Sequence, residues 1–228
     1  MTLQLIDKGK IYFYLALLLI LLSLHNTNQI KYLNNFFKIS KIELIGNIDE
    51  NLHQEILSSL KKFYNYNIFY LSSNEITNTL DSYNILNKYK IKKEYPSVIK
   101  VELEKTKILA YYFQNNQPIF IGDNGKKITN QKIKIDNFPL IVGNVDIEKF
   151  LKLRLILLNS EFKLSDFNKF YSFKSNRWDI VYKNKILLKL PDKQLEKSIS
   201  LFKKILDNKN IQDIKIIDLR LINKIILS

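Results

Sequence analysis

The chain has 228 residues, with 36 Lys and Arg against 22 Asp and Glu, a formal charge of +14. Hydrophobic residues at 46% and aromatics at 12% supply enough apolar surface for one domain or two small ones, which excludes a disordered basic tail. Cysteine is absent, so disulfides, thiol catalysis, cysteine zinc cages and iron–sulfur clusters are excluded.

Residues 11–24 read IYFYLALLLILLSL, an uncharged apolar run preceded by Lys8 and Lys10 and followed by polar residues 25–29. Fourteen residues of helix cover only about 21 Å of a hydrocarbon core near 30 Å. A membrane helix over 11–30 therefore has to recruit its flanks, with lysines snorkelling at the near end. A cleaved signal peptide is the competing reading. The absence of a small-x-small triplet after Leu24 favours an uncleaved anchor. Lys8 and Lys10 place residues 1–10 in the cytoplasm, against a modest counterweight from Lys31, Lys38 and Lys41.

Past the anchor, KIELI at 41–45 alternates as a half-buried strand does, and Gly46-Asn47 punctuates it. Leu52, Ile56, Leu60 and Phe63 recur at helical spacing, with Asp49 or Asn51 as N-cap. Ser72 and Glu75 have capping-box spacing ahead of Ile76, Leu80 and Tyr83. Residues 89–95 alternate apolar side chains with lysine, Pro96 breaks the chain, and Ile99, Val101 and Leu103 alternate with Lys100, Glu102 and Glu104. The expected order is strand, helix, helix, strand, strand.

Asp123-Asn124-Gly125 between residues 119–121 and 126–128 reads as a tight hairpin turn, which makes Asp123 a turn former rather than a catalyst. FPLIVG follows at 138–143, and Asp146 is placed to cap a helix over 147–159 with Phe150, Leu151, Ile156 and Leu158 among its apolar positions. RWDIV at 177–181 and a strand over 185–190 come next. A helix opened by Pro191-Asp192 then carries Leu195, Ile199, Phe202 and Leu206 on one face. Residues 214–219 and 221–227 are dense in β-branched side chains and favour extended structure around Asp218-Leu219-Arg220.

Gly46-Asn47, NIFYL at 67–71 and KKEYPSVIKVELEK at 92–105, in that element order, resemble a POTRA domain, a small periplasmic interaction module. With Tyr95-Pro96, the Glu104-Lys105 to Ala110 stretch, DNG at 123–125, FPLIVG and above all IIDLR at 216–220, nearly the whole chain resembles the FtsQ/DivIB family of bacterial cell-division proteins. The order of these elements carries the likeness more than any one of them. The chain departs from the family pattern at Lys105, Thr106 and Lys107, where a proline is usual, and after Arg220, where Leu221, Asn223 and Lys224 replace aromatic and small residues.

The resemblance implies an α+β protein: a cytoplasmic tail (1–10), a transmembrane anchor (11–30), a POTRA domain (38–106) and an FtsQ-type β domain (107–228). That last domain is expected to be a mixed α+β domain with an antiparallel sheet ending in an edge strand. It implies a non-enzymatic divisome scaffold at the septum, in the bacterial inner membrane with the bulk of the chain periplasmic. Such a scaffold joins FtsB and FtsL to the septal peptidoglycan synthase complex. The family's partner site falls on the last strand, so Arg220, Leu221, Asn223, Lys224, Ile225 and Ser228 are the expected contact residues. Arg220 orients the strand or pairs with an acidic partner group. An ordinary last strand paired inside its own sheet is the plainer alternative, and a POTRA-type secretion or outer-membrane assembly component is the alternative function.

Enzymatic and nucleic-acid readings have less behind them. The five glycines lack the spacing of a phosphate-binding loop, so no cofactor is expected. His25 and His53 have no partner at metal-site or triad spacing, so neither a catalytic nor a metal site is expected, and Glu102 and Glu104 read as solvent-facing strand charges. Lysine is spread along the chain and arginine occurs only at 154, 177 and 220. That pattern looks more like an AT-rich coding bias than a nucleic-acid footprint.

Overall fold

A computed structural model describes residues 8–23, 35–129, 133–207, 214–221 and 224–228. The chain divides into two compact units, Met1–Lys105 and Thr106–Ser228.

The first unit opens with helix α1 (Lys8–Ser23), whose apolar side chains from Ile11 to Leu22 are exposed. At 16 residues it is about 24 Å long. Among the described residues no helix is long and apolar enough to cross a membrane. Of the expected span of 11–30, residues 11–23 are helical, and residues 24–30, with His25, lie outside the described residues.

The five elements expected next are present in order: β1 (Lys41–Ile45), α2 (Glu50–Leu60), α3 (Ser73–Asp81), β2 (Leu86–Glu94) and β3 (Val98–Lys105). Both caps lie where the side-chain chemistry places them. Asp49 Oδ1 accepts from the Leu52 amide at 3.1 Å, and Ser72 and Glu75 form the capping box that opens α3. Strand β3 is central, parallel to β1 and antiparallel to β2. Its inward Ile99, Val101 and Leu103 are buried, as are Leu52, Ile56 and Leu60 of α2 and Ile76 and Leu80 of α3. The opposite face is a charge lattice in which Lys92 pairs with Glu102, Lys100 with Glu94 and Glu43, and Asn87 donates to Glu104 at 2.9 Å. Glu102 and Glu104 are thereby engaged by cross-strand neighbours. His53 is half-buried on α2.

The second unit is built on a nine-stranded sheet in the order β12-β11-β10-β9-β8-β7-β4-β5-β6. Its strands are β4 (Ile108–Gln114), β5 (Gln117–Gly122), β6 (Lys127–Ile128), β7 (Leu140–Gly143), β8 (Phe167–Ser172), β9 (Trp178–Tyr182), β10 (Ile186–Lys189), β11 (Ile216–Asp218) and β12 (Ile226–Leu227). The sheet is mixed rather than antiparallel: β4 with β7, β7 with β8, and β10 with β11 run parallel. Two of those pairs are bridged by helices, α4 (Ile147–Asn159) between β7 and β8, and α5 (Leu195–Leu206) between β10 and β11. Crossover helices are what parallel neighbours require.

Helices α4 and α5 pack together and feed one hydrophobic cluster with the sheet, including Phe150, Leu153, Leu157, Phe167, Phe170, Ile180, Leu188, Ile199 and Phe202. The buried stripe of α4 is Phe150, Leu153 and Leu157, while Leu158, one of the positions marked as apolar from the sequence, is 42% exposed. Helix α5 begins three residues after Asp192, and its first cap, Gln194, takes a left-handed conformation without a side-chain cap. The DNG turn joins β5 to β6, and Asp123 Oδ1 accepts from Thr106 Oγ1 at 2.6 Å.

A C-terminal sheet edge and its charged row

The outermost strands of the nine-stranded sheet are held by a short ladder. Ile217 pairs with Leu227 and Asp218 with Ile226. Ser228 closes it: its carbonyl accepts from the amides of Lys215 and Ile216, both at 2.8 Å, and its amide donates to Ile216 at 3.1 Å. Antiparallel pairing alternates, so with Ser228 turned inward the backbone groups of Leu227 point away from β11. Among the described residues no strand pairs with that outer side.

One cross-strand row runs through this edge: Tyr171, Asp179, Lys189, Asp218 and Ile226 are successive register partners from β8 to β12. Asp218 is 8% exposed and is clamped from its own segment by Arg220, whose Nε lies 2.8 Å and 3.0 Å from the two carboxylate oxygens. The Arg220 amide also donates to Asp218 Oδ1 at 3.1 Å. The Arg220 guanidinium holds the Asp218 carboxyl below the usual carboxylate range, and its own pKa is raised by the same bonds. Asp179 is buried beside it and its carboxyl is pushed up by desolvation, against the pull of Arg177, Arg220 and Lys189. Arg177 stays 3.5 Å from Asp179 Oδ1, while its guanidinium lies over the Phe173 ring at 4.2 Å.

Two shallow grooves flank the clamp. One of about 410 Å³ has Leu201, Leu219, Leu221 and Ile225 as its apolar lining, with Lys193, Lys197 and Lys224 among its charged residues. The other, of about 520 Å³, is lined by Arg177, Asp192, Asp218, Arg220, Leu221 and Ile226 among others. Arg220, Leu221, Lys224 and Ile225 are therefore brought together around one surface. Ser228 sits at the strand end with its backbone committed to β11, and Asn223 lies outside the described residues. Among the described residues of the strand expected over 221–227, Ile226–Leu227 form strand, with Lys224 and Ile225 leading into it. Ile226 and Leu227, each 49% exposed, and Arg177 belong to the surface and were not singled out from the sequence. The period of an edge strand could have marked the first two. Nothing in sequence spacing links Arg177 to Arg220. No group of three or more His, Asp or Glu side chains that could hold a metal occurs among the described residues.

Residues 110–220 match the family model described as cell division protein FtsQ/DivIB, C-terminal. Cell division protein FtsQ of Rickettsia typhi is 25% identical over 201 residues, covering 82% of this chain and 71% of that protein. FtsQ of Rickettsia prowazekii is 25% identical over 192 residues with the same shares covered, and cell division protein DivIB of Clostridium tetani is 27% identical over 107 residues, 46% of this chain and 39% of that one. Among solved structures, the major extracytoplasmic domain of the trans isomer of DivIB from Geobacillus stearothermophilus aligns with a TM-score of 0.33 and 15% identity, over 45% of this chain and 92% of that chain. With the matched segment running from Ala110 to the Arg220 clamp and these relatives covering up to 82% of the chain, the chain is similar to the FtsQ/DivIB family of cell division proteins.

Proposed function

We propose that the protein is a non-enzymatic scaffold of the cell-division machinery, which links FtsB and FtsL to the septal peptidoglycan synthase complex by strand addition to β12. In this reading residues 1–10 are cytoplasmic and α1 with its flanking residues is the single span in the inner membrane. Residues 38–106 form a POTRA domain, and this domain and the β domain over 107–228 are periplasmic at the division site. Neither a cofactor nor nucleic acid enters the function.

The observation that carries the reading is the outer side of β12. Leu227 directs its amide and carbonyl away from β11, and Ile225, Ile226 and Leu227 expose apolar side chains around them. An added strand gains affinity from backbone hydrogen bonds and specificity from alternate side chains. The Lys193, Lys197 and Lys224 cluster beside it suits an acidic partner segment.

The test is a mild-detergent pull-down from membranes, with the full chain beside one truncated after Arg220 and the fold of both checked by circular dichroism. Recovery of small coiled-coil division proteins by the full chain alone is expected. Recovery by both forms would move the binding surface elsewhere, and recovery of secretion or outer-membrane assembly proteins in their place would favour that alternative role for the POTRA domain.

A further inference from the structure

A ladder of aromatic rings lies on the surface of the first unit, at the point where the described chain enters it after α1. Phe36 meets Phe37 edge-on at 5.2 Å, Phe37 meets Phe69 at 4.8 Å, and Phe69 stacks on Tyr95 at 4.8 Å. These rings are not core: Phe36 is 60% exposed and Tyr70, beside Phe69 in the chain, is 85% exposed. Three separate segments assemble the ladder, and the backbone ties two of them together through the Ile68 amide donating to the Phe37 carbonyl at 2.9 Å. A contiguous exposed aromatic surface of this kind is uncommon on a soluble face and marks contact with something apolar.

Charge and tether both identify the contact. Residues 35–41, 61–71 and 92–97, which carry the rings, hold Lys38, Lys41, Lys61, Lys62, Lys92 and Lys93 against the single acid Glu94, and with Lys41 and Lys92 paired to Glu43 and Glu102 the remaining excess is Lys38, Lys61, Lys62 and Lys93. Lys62 lies over the Phe63 ring, and Lys93 Nζ is fixed on the Leu71 carbonyl at 2.6 Å. Aromatic rings bordered by lysines suit the headgroup region of an anionic bilayer, where rings settle at the polar–apolar boundary and ammonium groups meet phosphates. Phe36 follows Ser23, the last residue of α1, by thirteen positions, so the chain holds the ladder within about 47 Å of the end of that helix.

We propose that the Phe36–Phe37–Phe69–Tyr95 ladder, with Tyr70, is a membrane-contact surface that rests on the anionic lipid interface. The proposal rests on the reading of α1 as the anchor, and the test separates the two. The absence of cysteine allows single nitroxide labels in the full-length chain through Tyr70→Cys, Leu17→Cys and Lys88→Cys, the last at the end of β2 remote from Tyr95. Each labelled chain is reconstituted in phosphatidylethanolamine–phosphatidylglycerol vesicles and probed for collision with oxygen, which partitions into lipid, and with a water-soluble nickel chelate.

The label at position 70 is expected to favour oxygen over nickel several-fold more than the label at position 88. Introducing Phe36→Ser with Phe69→Ser is expected to return position 70 to the aqueous pattern. An aqueous position 70 together with a lipid-buried position 17 overturns the surface and leaves the anchor standing. An aqueous position 17 overturns the anchor, and position 70 then stands or falls on its own ratio. Shielding of position 70 from both reagents would put protein over the ladder and also overturn the proposal.

Discussion

Asp179 and Asp218 occupy the same cross-strand row, each 8% exposed, yet their surroundings push their carboxyls in opposite directions. For Asp218 the folded pKa is depressed by the Arg220 hydrogen bonds. Its contribution to stability is therefore present above the unfolded value, near 3.9, and lost as pH falls through the folded one. Asp218→Asn is expected to cost about 1 kcal/mol at pH 7, discounted because Arg220 is partly in solvent, and next to nothing in strong acid. Asp179 has the reverse sign. Its folded pKa is raised, so its contribution is present below the unfolded value and lost as pH rises through the folded one. Denaturant melts at pH 7 are expected to show Asp179→Asn at least as stable as the parent chain, and a loss larger than that of Asp218→Asn would overturn this account. Gly46 is set by geometry instead: at φ +156° an added Cβ would lie 2.1 Å from the Leu103 carbonyl oxygen. Gly46→Ala should cost about 2 kcal/mol, read as a lowered melting midpoint.

At the scale of the element, β12 is only two residues long, and its inner side is tied by Ser228 while its outer side is open. Proline removes one amide donor, and at Leu227 that donor points away from β11. Leu227→Pro is thus expected to keep the fold, seen as unchanged circular dichroism, while weakening capture of a partner strand at least tenfold in a binding titration. Unchanged capture would show that side-chain contacts in the grooves, rather than backbone pairing, carry recognition. The helices illustrate how far pattern reaches. Asp49, Ser72 with Glu75, and Asp146 cap the helices they were expected to cap, because a cap depends on residues two or three positions away. The buried face of α4 was less legible, since a nearly all-apolar run over 150–158 does not say which side meets the sheet.

Across the whole molecule, a formal charge of +14 gives attraction to any anionic surface, and salt screens it. A hydrophobic span is indifferent to salt. The full chain is accordingly expected to stay in the membrane fraction through a 1 M salt wash and to be released by detergent, and complete release by salt would remove α1 as the anchor. The order of elements in the first unit, its caps, the DNG turn and the apolar faces of α2 and α3 were all determined by local sequence, because each depends on neighbours within one or two turns of chain. Strand β8, the parallel pairings that make the large sheet mixed, and the short reach of β12 were decided only by tertiary structure. So was the gathering of Arg177, Asp179, Asp218 and Arg220 from two strands far apart in the chain. Pairing partners and burial of charge are set by which strands lie side by side, and no periodicity within a single strand encodes its neighbour.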